Sequence, residues 1–171
     1  MNPGKIFEND FQKSIPETCW VKRLNDNTAA WNSTGSTRFS STNECDFLLK
    51  DDITQKMFAL ELKSSKSSLT FWRSDFKGKQ FQIKKNQILG LQAFNQHTII
   101  CGFLFNFRNE NNDTYFVDIE DFIDYTSKLT KKSINIHDVQ KMSPIRIKST
   151  KLRVHYRYDI CSFIEEVVNE F

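Results

Sequence analysis

Glu61 and Lys63 stand two apart in the stretch QKMFALELK, residues 55–63. Apolar and polar side chains alternate there, which predicts a β-strand. Phe58, Leu60 and Leu62 share one face, and Met57, Ala59, Glu61 and Lys63 share the other. A carboxylate and an ammonium on a strand anchored by its apolar face can be held rigidly enough to bind a divalent cation and orient a water beside it. Alone, an E-x-K is more often an exposed ion pair of little energetic weight. Asp46 adds to it. This residue opens an earlier strand-like run, CDFLLK at residues 45–50, and Asp51-Asp52 reads as the turn between the two runs. Folded as a hairpin, the runs bring together D-x14-E-x-K. Two carboxylates, Asp46 and Glu61, suit a hard cation such as Mg2+, with Mn2+ as a substitute; such an ion keeps several waters and takes its remaining ligands from a phosphate. Lys63 can orient or deprotonate the water and neutralise charge in the transition state.

The rest of the chain must position these three residues. At 171 residues, with 39% hydrophobic and 26% charged content, the sequence predicts one soluble domain over residues 1–171. Sixteen phenylalanines supply large side chains for its core. The net charge of +3 is mild, but its distribution is uneven. Lys66, Lys77, Lys79, Lys84 and Lys85 follow the Glu61–Lys63 strand, and Arg146, Lys148, Lys151, Arg153 and Arg157 form a second basic stretch. A charge run is usually a solvated face; beside a phosphate-cleaving site it would hold a nucleic-acid backbone. The cysteines at 19, 45, 101 and 161 make no C-x-x-C, and no histidine stands at zinc-finger spacing from them. No secretory h-region and no apolar run near membrane-spanning length is present, so a reduced, cytoplasmic chain is expected.

Residues 5–14, KIFENDFQKS, carry an apolar stripe of Ile6, Phe7 and Phe11 and predict an amphipathic first helix ending before Pro16. Glu8 lies at the edge of that stripe; its plain reading is a first-turn acid favoured by the helix dipole. Residues 20–43 are rich in Asn, Ser and Thr and show neither helical nor strand period. A polar, irregular segment of that length inside a small domain is functional or mobile. Residues 64–79 read as a Ser- and Lys-rich loop, and residues 84–98 as a helix with Ile88, Leu91 and Phe94 inward. Gln87 shares that inward face, where it either caps a neighbour's backbone or faces a polar pocket. Residues 98–107, TIICGFLFNF, read as a strand buried on both faces, with Cys101 a buried free thiol. A turn at 109–113, a strand at 114–119, a short helix from 120, a polar basic stretch at 131–156 and a closing helix from 160 complete the chain.

In order and spacing these motifs resemble the RecU-type Holliday junction resolvases of the PD-(D/E)xK nuclease superfamily. The resemblance runs nearly end to end: GKIFE at residues 4–8, CDF at 45–47, FALELKS at 58–64, NQI at 86–88, GFLFNFR at 102–108, TYFVD at 114–118, KSI at 132–134, and a basic, Tyr-containing tail. Cys45 stands where the superfamily name has Pro. The resemblance implies a restriction-endonuclease-like α/β fold: a mixed central β-sheet flanked by helices, with a projecting stalk at residues 18–43. It implies a homodimer, since paired cuts need two sites and two-fold pairing supplies them. By the same resemblance Asp46 and Glu61 are metal ligands, and Asp46, Glu61, Lys63, Glu8 and Gln87 form the catalytic set, Glu8 acting through water and Gln87 on water or phosphate. Lys22, Arg23 and Arg38 are candidate stalk contacts to DNA, and Lys66, Lys77, Lys79, Lys84 and Lys85 candidate contacts beside the site. The implied activity is Mg2+-dependent cleavage of four-way DNA in recombination and repair. Two alternatives stand beside it: a nuclease acting on linear duplex or flap DNA, and a DNA-binding recombination factor with an inactive site.

Overall fold

A computed structural model describes residues 2–24, 43–77 and 80–170. Its centre is a six-stranded mixed sheet. The strands are β1 (Cys19–Arg23), β2 (Phe47–Asp51), β3 (Met57–Ser65), β5 (Ile100–Phe107), β6 (Asp113–Asp118) and β8 (Ile145–Ile147), adjacent in the order β1-β2-β3-β5-β6-β8. Every neighbouring pair is antiparallel except β3 and β5. That parallel pair needs a crossover, which β4 (Ser68–Thr70) and helix α2 (Lys85–Asn95) provide. β4 pairs with β7 (Ser133–Asn135), and β9 (Ser149–Lys151) with β10 (Tyr156–Tyr158).

Helices cover both faces of the sheet. On one side, α1 (Pro3–Gln12) and α5 (Ile160–Glu170) pack Phe7, Phe11, Phe163 and Val167 against Phe47, Phe58, Leu60 and Leu62. On the other, α2 and α3 (Ile119–Ser127) pack Ile88, Leu91 and Phe122 against Ala59, Phe103 and Phe105, with the short α4 (Ile136–Val139) beside them. β5 lies inside the sheet and all eight of its residues are buried, as expected for a strand covered on both faces. The phenylalanines do much of the filling: Phe103 stacks on Phe105 at 5.5 Å and meets Phe122 at 4.7 Å, and Phe11 meets Phe47 edge-on at 5.6 Å.

Three segments differ from the sequence reading. Residues 19–23 are not irregular: they form the edge strand β1, with Trp20 opposite Lys50 and Arg23 opposite Phe47. Cross-strand pairing to β2 organises a run whose own composition shows no period. Within the expected 64–79 loop, β3 continues to Ser65 and β4 follows it. The polar stretch at 131–156 contributes β7, α4, β8 and β9, each only three or four residues long, too short for a periodic pattern to register.

Candidate active site

The alternation in β3 lands as its sequence requires. Leu60 is 0% and Leu62 6% exposed, both against α1 and α5, while Ala59, Glu61 and Lys63 point to the α2 side. Because α2 packs over this second face, through Ile88 and Leu91 against Ala59 and Gln87 on Glu61, it is covered as well, and Glu61 is only 2% exposed. Burying a carboxylate is costly unless its charge is compensated. Lys63 Nζ stands 2.8 Å from Glu61 Oε1, and the Gln87 side chain donates its Nε2–H to the same oxygen at 2.5 Å.

Gln87 does both things its position allowed. Its Oε1 accepts the Lys84 backbone N–H at 2.9 Å, closing the first turn of α2, while its Nε2 reaches Glu61. Helix start and buried carboxylate are thereby tied through one side chain.

Asp46 sits just before β2. Its backbone N–H donates to Leu60 O at 3.0 Å, and its Oδ2 accepts the Leu62 N–H at 2.8 Å. The carboxylate therefore lies on the strand backbone between the two residues of the E-x-K. Leu24 N–H donates to Asp46 O at 2.8 Å, so the chain leaving β1 also braces this point. On the other side, the Asn86 side chain donates to Asn43 O at 2.9 Å. Helix α2 is brought close here by Gly90: a Cβ on that residue would overlap the Glu44 side chain at its own Cβ. Sequence reading missed Gly90 and the Asn86 contact. The available signal was a glycine inside a helical pattern, which costs about 1 kcal/mol and so marks a packing need.

Glu8 is half-buried on α1 and ion-paired with Arg23. Arg23 also donates to Asn9 Oδ1 at 2.9 Å and lies over the Phe47 ring, 5.8 Å from its centroid. These contacts place Glu8 at the same end of the sheet as Asp46, and they engage Arg23 within the protein. Lys22 is exposed on β1. Lys66, Lys77, Lys84 and Lys85 are exposed, Lys66 in the turn after β3 and the last two at the start of α2. Arg38 and Lys79 lie outside the described residues.

Cys45 is 1% exposed, and its thiol is pushed up to about 12 by burial and then by the negative charges of Glu61 and Asp46. It remains a thiol, donating to Phe47 O. Cys101 is likewise buried, with its thiol raised to about 12 by burial and then by Asp118. Among the described residues no group of three or more His, Cys, Asp and Glu side chains forms a ready metal cage. The donors on offer are two hard carboxylates beside a protonated thiol, a set that fits Mg2+ completed by water and phosphate better than a soft metal.

A second polar assembly ties the end of the chain to α1. Asp10, 1% exposed, accepts the Tyr156 N–H at 2.9 Å and meets His155 Nδ1 at 2.8 Å. Ser14 Oγ accepts the Tyr158 N–H at 3.0 Å. The basic side chains Arg146, Lys148, Lys151, Arg153 and Arg157 of this region are exposed.

The chain is 29% identical to the SPbeta prophage-derived uncharacterized protein YotM of Bacillus subtilis (strain 168), over 184 aligned residues covering 99% of this chain and 88% of that protein. No family model matches the chain. Among the described residues, no helix is long and apolar enough to cross a membrane.

Proposed function

We propose that this protein is a Mg2+-dependent endodeoxyribonuclease that resolves four-way DNA junctions, acting as a homodimer with a restriction-endonuclease-like fold. The observation that carries the reading is the convergence on Glu61: a buried carboxylate on a central strand, bonded through one oxygen to Lys63 and Gln87, with the Asp46 carboxylate bonded to the intervening Leu62 amide. A fold gains little stability from burying such a set, since apolar side chains would fill the space at lower cost. Chemistry on a phosphodiester gives it a use.

Asp46 and Glu61 would hold the ion, which when bound polarises a phosphoryl oxygen and lowers the pKa of a coordinated water. Lys63 holds Glu61 in orientation and supplies positive charge where the phosphate becomes more negative in the transition state. Gln87 fixes the Glu61 carboxylate from the opposite direction and links it to the start of α2. Exposed Lys66, Lys84 and Lys85 supply cationic contacts for the DNA backbone around the site.

The test is incubation of labelled four-way junction and linear duplex with the protein, with and without Mg2+. Paired cuts in the junction that require Mg2+ are expected. Equal cutting of linear duplex would favour the duplex nuclease. Tight binding with no cutting in Mg2+ or Mn2+ would leave only the DNA-binding factor.

A further inference from the structure

We propose that the open cavity beside the start of α2 takes an unpaired nucleotide of a DNA strand, its base against Trp72 and its phosphate on Lys84 and Lys85. This inference rests on the nuclease reading and names a feature of the substrate that a fully paired duplex does not present. The cavity measures about 650 Å³, and its walls include Trp72, Phe81, Gln82, Lys84, Lys85 and Asn86. That volume lies within the range of small-ligand sites. No carboxylate lines it among the described residues.

The walls are built rather than incidental. Trp72 N–H donates to Ile83 O at 2.9 Å, and Ile83 N–H donates to Thr70 O at 2.9 Å. Gln82 closes the same clamp, its Oε1 accepting the Thr70 N–H at 2.9 Å and its own N–H donating to Thr70 Oγ1 at 3.1 Å. Phe71 and Ile83, both 0% exposed, anchor the two arms in the core. Trp72 is thus held half-buried at the cavity wall, and Lys85 Nζ stands 5.2 Å from its ring centroid.

An aromatic ring with Lys85 lying over it and Lys84 on the same wall matches the two ends of a nucleotide when Lys85 swings from the ring to the phosphate and leaves the face to the base. Stacking on an aromatic ring accepts any base but requires the base to leave its own stack. Charge alone would serve duplex and single strand alike. The next residue after Asn86 in α2 is Gln87, which bonds Glu61, so a nucleotide held here lies beside the turn that reaches the candidate site. At a four-way junction, strands exchange at the branch point and stacking is interrupted there, so a base is drawn out of its stack at lower cost than inside a continuous duplex.

The experiment uses the full chain in EDTA, titrated with a single-stranded oligothymidylate carrying one 2-aminopurine and with a blunt duplex. Binding of the single strand is expected to quench the 2-aminopurine. Trp72→Ala should lose most of the quench and bind the strand about tenfold more weakly, with duplex affinity little changed. Trp72→Phe, which keeps an aromatic face, should stay within about threefold of the parent. Lys85→Ala, at an exposed position, should weaken both ligands and lower the salt slope by about one. If the parent binds the single strand without quenching, or Trp72→Ala in its folded form binds and quenches as the parent does, the cavity is not a nucleotide site. Junction cleavage by the parent in Mg2+ is measured in parallel. Cleavage without Trp72-dependent binding overturns this inference alone, whereas Trp72-dependent binding without cleavage overturns the nuclease reading and supports the cavity assignment.

Discussion

Glu61 carries the most weight of any single residue, because its carboxylate is nearly inaccessible to bulk water and yet bonded by Lys63 and Gln87. Glu61→Gln keeps the shape and removes the charge. Junction cleavage in Mg2+ should then fall by at least about a hundredfold, while junction affinity in EDTA stays within a few-fold, because affinity comes from cationic contacts to phosphate. Asp46→Asn should behave in the same way. Lys63→Ala leaves both carboxylates in place and should lose most of its rate while still binding the ion. Rates from labelled junction and affinities from gel shift, read on the same preparations, check all three. Full activity in Glu61→Gln would remove the site assignment.

Elements are locked together through two close contacts, of which the first positions the site. The first is between α2 and the chain that enters β2, where Gly90 meets Glu44 and Asn86 holds the Asn43 carbonyl. Gly90→Ala gains helix propensity, but its Cβ overlaps Glu44 at the Cβ rather than at a flexible tip. We expect a net loss of roughly 1–3 kcal/mol in urea unfolding, with cleavage reduced more than binding, because the displaced segment carries Asp46. A gain in stability would show that the approach is looser than the structure describes. The second contact ties α3 to α4, where the Tyr125 hydroxyl donates to Asp138 Oδ1 at 3.1 Å. Burial raises Asp138, but hydrogen bonds from Lys131, the Asn135 N–H and Tyr125 outweigh it and hold the carboxyl below its ordinary value of 3.8. A carboxyl depressed in the folded state contributes stability above its unfolded value and loses that contribution as pH falls through the folded one. Asp138→Asn should therefore be destabilised by roughly 1–3 kcal/mol at pH 7 and match the parent more closely at pH 3 and below, measured by urea unfolding at each pH.

At the scale of the whole molecule, β1 and β2 are adjacent antiparallel strands, and residues 25–42 connect them outside the described structure. The segment follows Leu24, whose N–H donates to Asp46 O, and precedes Asn43, which stands three residues before Asp46. On the proposed junction-nuclease reading, this segment contacts the junction, governs which DNA is chosen and leaves the chemistry alone. Replacing residues 25–42 by a short Gly-Ser link should reduce the preference for four-way junction over duplex toward equality while Mg2+-dependent cutting persists. Competition binding of the two substrates measures this. A shortened chain that still discriminates would move junction selection to the groove between two protomers, and sedimentation of the parent would show whether that dimer forms.

Much of this architecture was legible before any coordinates because period and order are local properties. The alternation of Phe58, Leu60 and Leu62 with Glu61 and Lys63 dictates which side chains share a face, and a one-residue slip would have reversed it. The continuous apolar run in β5 reads as a strand covered on both sides, and the inward face of α2 was visible with Gln87 on it. What chain order could not supply was contact between distant residues. That Asp46 spends an oxygen on the Leu62 amide, that Glu8 is engaged by Arg23, that Gly90 admits Glu44, and that Trp72 and Lys85 face one cavity all depend on segments far apart in sequence being packed together. β1 shows the same limit at the level of an element: residues 19–23 have no period of their own and became a strand because the free edge of β2 offered its hydrogen bonds.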